Sequence, residues 1–218
     1  MLFIYEAMCF ILFVGNTIIV RNGADILFRQ LFQIFAEHSE QVYALTLLCL
    51  ISIIIYFNWD VIKDERLKFS YLIYMLIESL FWALILIITM SIIDNILLSV
   101  LNRNIISEQF YLAIGAGIWE EILFRLAAIT ILLLCMHKVF GYSGTFSTII
   151  AILISAVLFS IFHYFGPYGE SFMYKSFYIR LFAGILLGSL YIVRGLGITV
   201  YTHIIYDLTI ISFPILLT

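Results

Sequence analysis

The chain has 218 residues, of which 64% are apolar and only 11% charged, whereas a soluble domain carries about 25% charged residues; a soluble globular fold is excluded. Twenty Phe, 14 Tyr and only 2 Pro exclude disorder and low complexity. The formal net charge of −3 is too small and dispersed to suggest a nucleic-acid partner. Cys9, Cys49 and Cys135 all lie in apolar runs without ligand-like spacing, and read as small core hydrophobes.

A bilayer core about 30 Å thick takes about 20 residues of apolar helix. The first apolar run, Met1 to Val20, contains Glu6 but no Lys or Arg and no small-residue cleavage site, so it reads as a retained helix rather than a signal peptide. Between 21 and 40, Leu27, Leu31, Ile34 and Phe35 recur at helical spacing among Arg29, Gln33 and Glu37. That is the pattern of an amphipathic helix lying in the membrane interface. Spans follow at about 41–59 and 70–101, separated by the charged connector Asp60 to Lys68. The next runs from about 107 to 139, and three more lie at about 144–165, 174–193 and 197–217. Gly141 and Gly144, Gly166-Pro167, and Gly195 with Gly197 mark the turns between them.

The expected fold is therefore an all-α, polytopic transmembrane helix bundle of about seven spans (six to eight) plus the interfacial helix. It forms one membrane domain over 1–218 with no internal repeat, in which 1–105 carry no motif and 106–218 hold the chemistry. Orientation does not follow. Lys63, Arg66, Lys68, Lys138 and Arg194 fall on the side of the N-terminus and Arg21, Arg29, Arg103, Lys175 and Arg180 on the other, a tie under the positive-inside rule.

Ionisable groups deep in apolar helix are the informative residues, because each costs about 2.5–3.5 kcal/mol on insertion scales and persists only with a partner or a task. Glu120, Glu121 and Arg125 stand near the middle of the run Ala113 to Leu134. Glu121 and Arg125, four apart, share a helical face and allow an ion pair. Glu120 points about 100° away in an α-helix. Its face holds Ala113, Ala116, Gly117, Leu123, Phe124, Ala127 and Ala128, mostly small residues that permit close helix approach or leave room beside the carboxylate. A structural ion-pair network accounts for part of this set. One arginine neutralises two carboxylates poorly, however, so Glu120 needs a partner from another helix. Two later helices offer one: His163 ends a span, and His203 and Asp207 lie four apart on one face of the last. An unpaired Glu, two His and an Asp on three helices are the ingredients of water activation and oxyanion stabilisation.

Three blocks in order, Glu120-Glu121-Ile-Leu-Phe-Arg125, Phe159-Ser-Ile-Phe-His163 and His203-Ile-Ile-Tyr-Asp207, resemble the EExxxR, FxxxH and HxxxN/D signature of the CPBP intramembrane proteases. That group contains the CAAX prenyl endopeptidases of the Ras-converting type and the bacterial Abi-type proteins. Gly184 and Gly188 resemble the family's glycine-spaced helix, a small-xxx-small pattern that lets helices approach closely. The likeness covers about 110–210. It implies an intramembrane glutamic-type endopeptidase in which Glu120 and His163 activate water, His203 and Asp207 stabilise the oxyanion, and Glu121 and Arg125 play a supporting part. It implies no cofactor, a membrane-embedded or lipid-anchored peptide or protein as substrate, and a multi-pass location in a bacterial cell membrane. The sequence has no HExxH and no Cys/His set at zinc spacing; the metal alternative would use His163 and His203.

Asp207 departs from the family pattern, since the CAAX prenyl endopeptidases usually carry Asn there. An ionised carboxylate only accepts hydrogen bonds, so Asp207 either acts protonated or orients His203. The block Gly115 to Leu126 resembles the myxosortase branch, which processes C-terminal sorting tails. Two other classes fit parts of the pattern: a proton-coupled transporter with a Glu/His relay, and a catalytically silent immunity or partner-binding protein. Against the transporter, no pair of broken helices suggests an inverted repeat.

Overall fold

In lipid, an open backbone satisfies its own hydrogen bonds only as helix. Every regular element among the described residues is helical. The structure is a computed structural model describing residues 1–13, 20–57, 59, 63, 69–93, 106–166 and 169–216. Outside the described residues lie 14–19 of the first run, most of the connector 60–68, the stretch 94–101 of the third span, Arg103, Pro167 and the C-terminal 217–218. In chain order the elements are α1 (Leu2–Phe13), α2 (Gly23–Gln30), a 3-10 turn (Gln33–His38), α3 (Ser39–Phe57), α4 (Phe69–Ile93) and α5 (Ile106–Gly115). A π-helix (Ala116–Ile129), α6 (Thr130–Lys138), α7 (Thr145–Phe162), α8 (Tyr174–Arg194) and α9 (Leu196–Leu216) complete them. Of the seven spans expected, Ser70–Ile93, Thr145–Phe162 and Tyr174–Arg194 are long and apolar enough to cross a membrane, and Leu2–Phe13 and Leu196–Ser212 are shorter apolar helices. The protein is an all-α membrane bundle.

Three differences from the sequence reading have physical causes. The amphipathic helix expected over 21–40 is interrupted: α2 stops at Gln30, and Ala36 takes a positive φ of 48°. Its apolar row, Leu27, Leu31, Ile34 and Phe35, is exposed as expected, but the first turn of α2 buries Ala24 and Asp25. Asp25 is fully buried because Arg21 (2.9 Å), Arg29 (2.8 Å) and the hydroxyls of Tyr5 (3.0 Å) and Tyr43 (3.2 Å) converge on it. Arg21 and Arg29, weighed above as loop charges for orientation, are thus consumed in pairing, and both also bind Glu6. Second, residues 116–129 form a π-helix rather than an α-helix, so successive side chains turn by less than the 100° assumed for Glu120 and Glu121. Third, of the cysteines read as core residues only Cys9 is buried, while Cys49 and Cys135 are exposed on α3 and α6.

The largest apolar cluster joins the two ends of the chain. Tyr5, Cys9, Phe13, Ala24 and Tyr43 pack with Tyr111, Ile118, Trp119 and Ile204, and Tyr5 stacks on Tyr111 with ring centroids 4.6 Å apart. The N-terminal helices, silent as motif, are therefore packed against the helix that bears Glu120. On the other side α7 lies along α8, and α9 lies along α4 and the π-helix. Gly195, at a φ of 80°, reverses the chain between α8 and α9 in a single residue.

Gly184 and Gly188 sit at the α7–α8 contact as their spacing predicts. A Cβ at Gly184 would come 2.9 Å from the backbone Cα of Ala156, whereas one at Gly188 would come 3.1 Å from a side-chain methyl of Ile152. Backbone cannot yield as a rotamer can. Gly184→Ala is expected to destabilise by about 1–3 kcal/mol, and Gly188→Ala by clearly less, in thermal unfolding of the detergent-solubilised protein. Equal losses would contradict the close backbone approach.

Candidate active site

Glu120 and Glu121, adjacent on the π-helix, are both buried, as are Arg125 and His203. Adjacent carboxylates in an apolar bundle repel, and each needs its own positive or donor partners. The structure serves them from opposite sides. Glu121 Oε1 lies 3.0 Å from Arg125 Nη1 and accepts from His203 Nδ1 at 2.7 Å. The expected Glu121–Arg125 pair is therefore present, with a histidine added that its spacing did not announce. Both contacts fall on one oxygen, and Glu121 Oε2 meets no donor among the described residues. The terminal nitrogens of Arg125 likewise make no hydrogen bond; its guanidinium instead rests over the Phe159 ring, 4.5 Å from the centroid, a favourable arrangement for a desolvated cation.

Glu120 is served from the N-terminal segment. Asn22 Nδ2 donates to its Oε1 at 2.9 Å, while Oε2 faces His163 Nε2 at 4.0 Å. That separation is too long for a hydrogen bond, and one water molecule can touch both atoms at about 2.8 Å from each. The later helices were expected to supply the partner of Glu120. One does, through His163, but the direct hydrogen bond comes from a residue 98 positions earlier in the chain.

His163 caps the C-terminus of α7, where the last carbonyls lack helical partners. Its Nδ1 lies 2.9 Å from the carbonyl oxygen of Phe159. A carbonyl only accepts, so Nδ1 carries the hydrogen and Nε2 is turned to Glu120. The FxxxH spacing thus has a direct cause: the backbone of its first residue fixes the tautomer of its last. The Phe159 ring does the rest, meeting His163 at 5.1 Å, His203 at 6.2 Å and Phe124 at 5.4 Å edge-on. Phe159 was read only as a motif letter, and its contacts with Arg125, His163 and His203 were missed.

His203 is oriented by Glu121 rather than by Asp207. Its Nε2 stands 3.5 Å from Asp207 Oδ2, an ion-pair distance without a hydrogen bond. Gly117 lets α9 close on the π-helix here, since a Cβ at that position would lie 2.3 Å from the Ile204 side chain. The small face read beside Glu120 therefore serves both purposes offered for it. Gly117 allows the approach, and Ala116 lines open space.

That space is a cavity of about 650 Å³ into which Glu120, His163, His203 and Asp207 all open, within the range of small-molecule sites. Leu86, Ile179, Ala183 and Leu187 make its apolar wall, and Glu170, Lys175 and Arg180 its polar side. Arg180 binds Glu170 at 2.6 Å. Glu121 and Arg125 do not line it. Among the described residues no three His, Cys, Asp or Glu side chains are grouped as metal ligands would be.

Residues 102–209 match the family described as type II CAAX prenyl endopeptidase Rce1-like. Neither the curated proteins nor the solved structures gave a match. Over that segment the chain belongs to the Rce1-like family, and it is a membrane peptidase of the CAAX-protease type.

The geometry separates a buried charge set from a cavity set, and the two respond differently to substitution. Glu121→Gln and Arg125→Ala each leave the other charge buried, at a cost of about 3–5 kcal/mol by analogy with soluble proteins, read as lost folded yield. The double variant Glu121→Gln/Arg125→Met is expected to recover yield but not full activity, because a neutral amide holds the His203 Nδ1 hydrogen more weakly than the Glu121 carboxylate does. A double variant no better folded than either single one would contradict the pairing.

Proposed function

We propose, on the premise of that family membership, that this protein is a glutamic-type intramembrane endopeptidase whose general base is Glu120. A water molecule between Glu120 Oε2 and His163 Nε2 loses a proton to this pair as its oxygen attacks the scissile carbonyl carbon. The carbonyl oxygen becomes the oxyanion of a tetrahedral intermediate, stabilised from the side of His203 and Asp207. Collapse breaks the C–N bond, and the same proton passes to the leaving amine, so the base is regenerated. The observation that carries the reading is the single cavity shared by Glu120, His163, His203 and Asp207, with Glu121 and Arg125 behind it. The substrate is a peptide bond in a membrane-associated protein or peptide, and the apolar wall of the cavity supports a chain that arrives from the bilayer.

No resident metal is needed in this scheme. Protein reconstituted in liposomes is expected to cleave a farnesylated peptide ending in a CAAX sequence, or an unprenylated C-terminal sorting tail, equally well before and after exhaustive removal of divalent ions. Glu120→Gln is expected to fold and to be inactive, since an amide cannot take the proton from water. Near-parental activity in Glu120→Gln would overturn the general-base role. Loss to a chelator that zinc restores would favour metal-assisted hydrolysis.

Asp207 tests the oxyanion side. Glu121 already holds His203 Nδ1, which supports a role for Asp207 as a protonated donor rather than as the orienting group. Asp207→Asn supplies a permanent donor of similar size, and is expected to stay active and to hold activity to higher pH than the parent, whose donor is lost when the carboxyl ionises. Asp207→Ala is expected to lose about 10²–10³ in kcat, the usual cost of one oxyanion donor. An Asn variant as damaged as the Ala variant would assign Asp207 an accepting role instead.

A further inference from the structure

The segment matched to the family begins at residue 102, yet the direct hydrogen bond to Glu120 comes from Asn22. We infer that Asn22 is a positioning residue for the general base: its carboxamide holds Oε1 of Glu120 so that Oε2 is the oxygen presented to His163 and the cavity. The inference rests on the reading of Glu120 given under Proposed function.

The last torsion of a glutamate is broad and roughly two-fold, so nothing intrinsic to the side chain chooses which oxygen faces the water. An external donor must choose. Asn22 is built for this by its own backbone position. It is the N-cap of α2 in an extended conformation (φ −60°, ψ 142°), and its Oδ1 accepts from the Ala24 amide at 2.9 Å. With the oxygen thus engaged, the NH2 group can only point away from α2, where Glu120 Oε1 lies 2.9 Å off. The opposite amide orientation would set an acceptor against the carboxylate and a donor against the Ala24 amide.

The support of Asn22 is rigid. Its backbone amide donates to the Tyr5 hydroxyl at 3.5 Å, and that hydroxyl donates to the buried Asp25 at 3.0 Å. Asp25 is fixed in turn by Arg21 and Arg29. Gly115 makes the docking feasible, since a Cβ there would come 2.5 Å from the Tyr5 ring and 3.2 Å from the Asn22 Cβ. The buried charge cluster of the N-terminal segment thus has a catalytic consequence: it anchors the cap that aims the base.

A cap and an aiming group are separable by substitution. As N-caps, Asn, Asp and Ser are nearly equivalent, so a purely structural role makes Asn22→Asp and Asn22→Ser neutral. Neither can donate to Glu120 as Asn22 does: Ser is too short, and Asp turns a second carboxylate towards it. In liposomes, with a farnesylated CAAX-ending peptide as probe, both variants are expected to fold like the parent and to lose kcat by about 10- to 100-fold, the scale of one hydrogen bond to a charged group. KM should stay within about twofold, and Asp should be the worse of the two. Independently of turnover, the infrared carboxylate band that Glu120→Gln removes should move in Asn22→Ser. Parental kcat in both variants, or an unmoved Glu120 band, would overturn the inference. Activity persisting in Glu120→Gln would instead overturn the general-base reading beneath it.

Discussion

Two glutamates side by side in an apolar helix set the terms for everything around them. Neighbouring carboxylates cannot share one counter-charge in a medium that screens poorly, so the bundle must bring separate partners from separate directions. Glu121 takes the inner position, with Arg125 from its own helix and His203 from α9. Glu120 is bonded on one oxygen by Asn22 and leaves the other towards His163 and the cavity. One carboxylate is held within the bundle and the other keeps an oxygen turned to the cavity.

The local backbone follows from that division. The π-helix places both glutamates and Arg125 in a widened stretch, a form of helix often found at functional sites. The Phe124 carbonyl there accepts a hydrogen bond from Ser155 Oγ of α7 at 2.7 Å, a tie between two of the elements that carry the site. Phe159 stands between the sets, with the Arg125 cation on its face and both histidines against its ring. It screens the buried ion pair from the cavity while letting His203 bridge the two.

Much of this was legible in the sequence because spacing on a single helix is local information. The four-residue separations of Glu121 and Arg125 and of His203 and Asp207 each produced a contact or near contact, whereas that of Phe159 and His163 carried only the motif and not the hydrogen bond behind it. Links between helices were legible only as a need. An unpaired Glu120 demanded a partner, but nothing in the string Asn22-Gly-Ala-Asp25 distinguishes a cap that reaches a site 98 residues away from one that merely starts a helix. The N-cap itself could have been found, since Asn22 precedes an amphipathic stretch with Asp25 in its first turn. The π-helix was not readable, because angular arguments from sequence assume the α-helical period. Asp207 was weighed as the orienting partner of His203 on its i, i+4 spacing, and the shorter contact from Glu121 overrides that spacing.

The central claim is that Glu120 activates water rather than attacking the peptide itself. A single turnover in heavy-oxygen water, followed by mass analysis of both the released peptide and the protein segment containing Glu120, addresses it directly. Direct attack by water puts the heavy oxygen into the new peptide carboxylate and none into Glu120. Label found in the Glu120 side chain, or a peptide covalently held there, would contradict the account and make Glu120 a nucleophile.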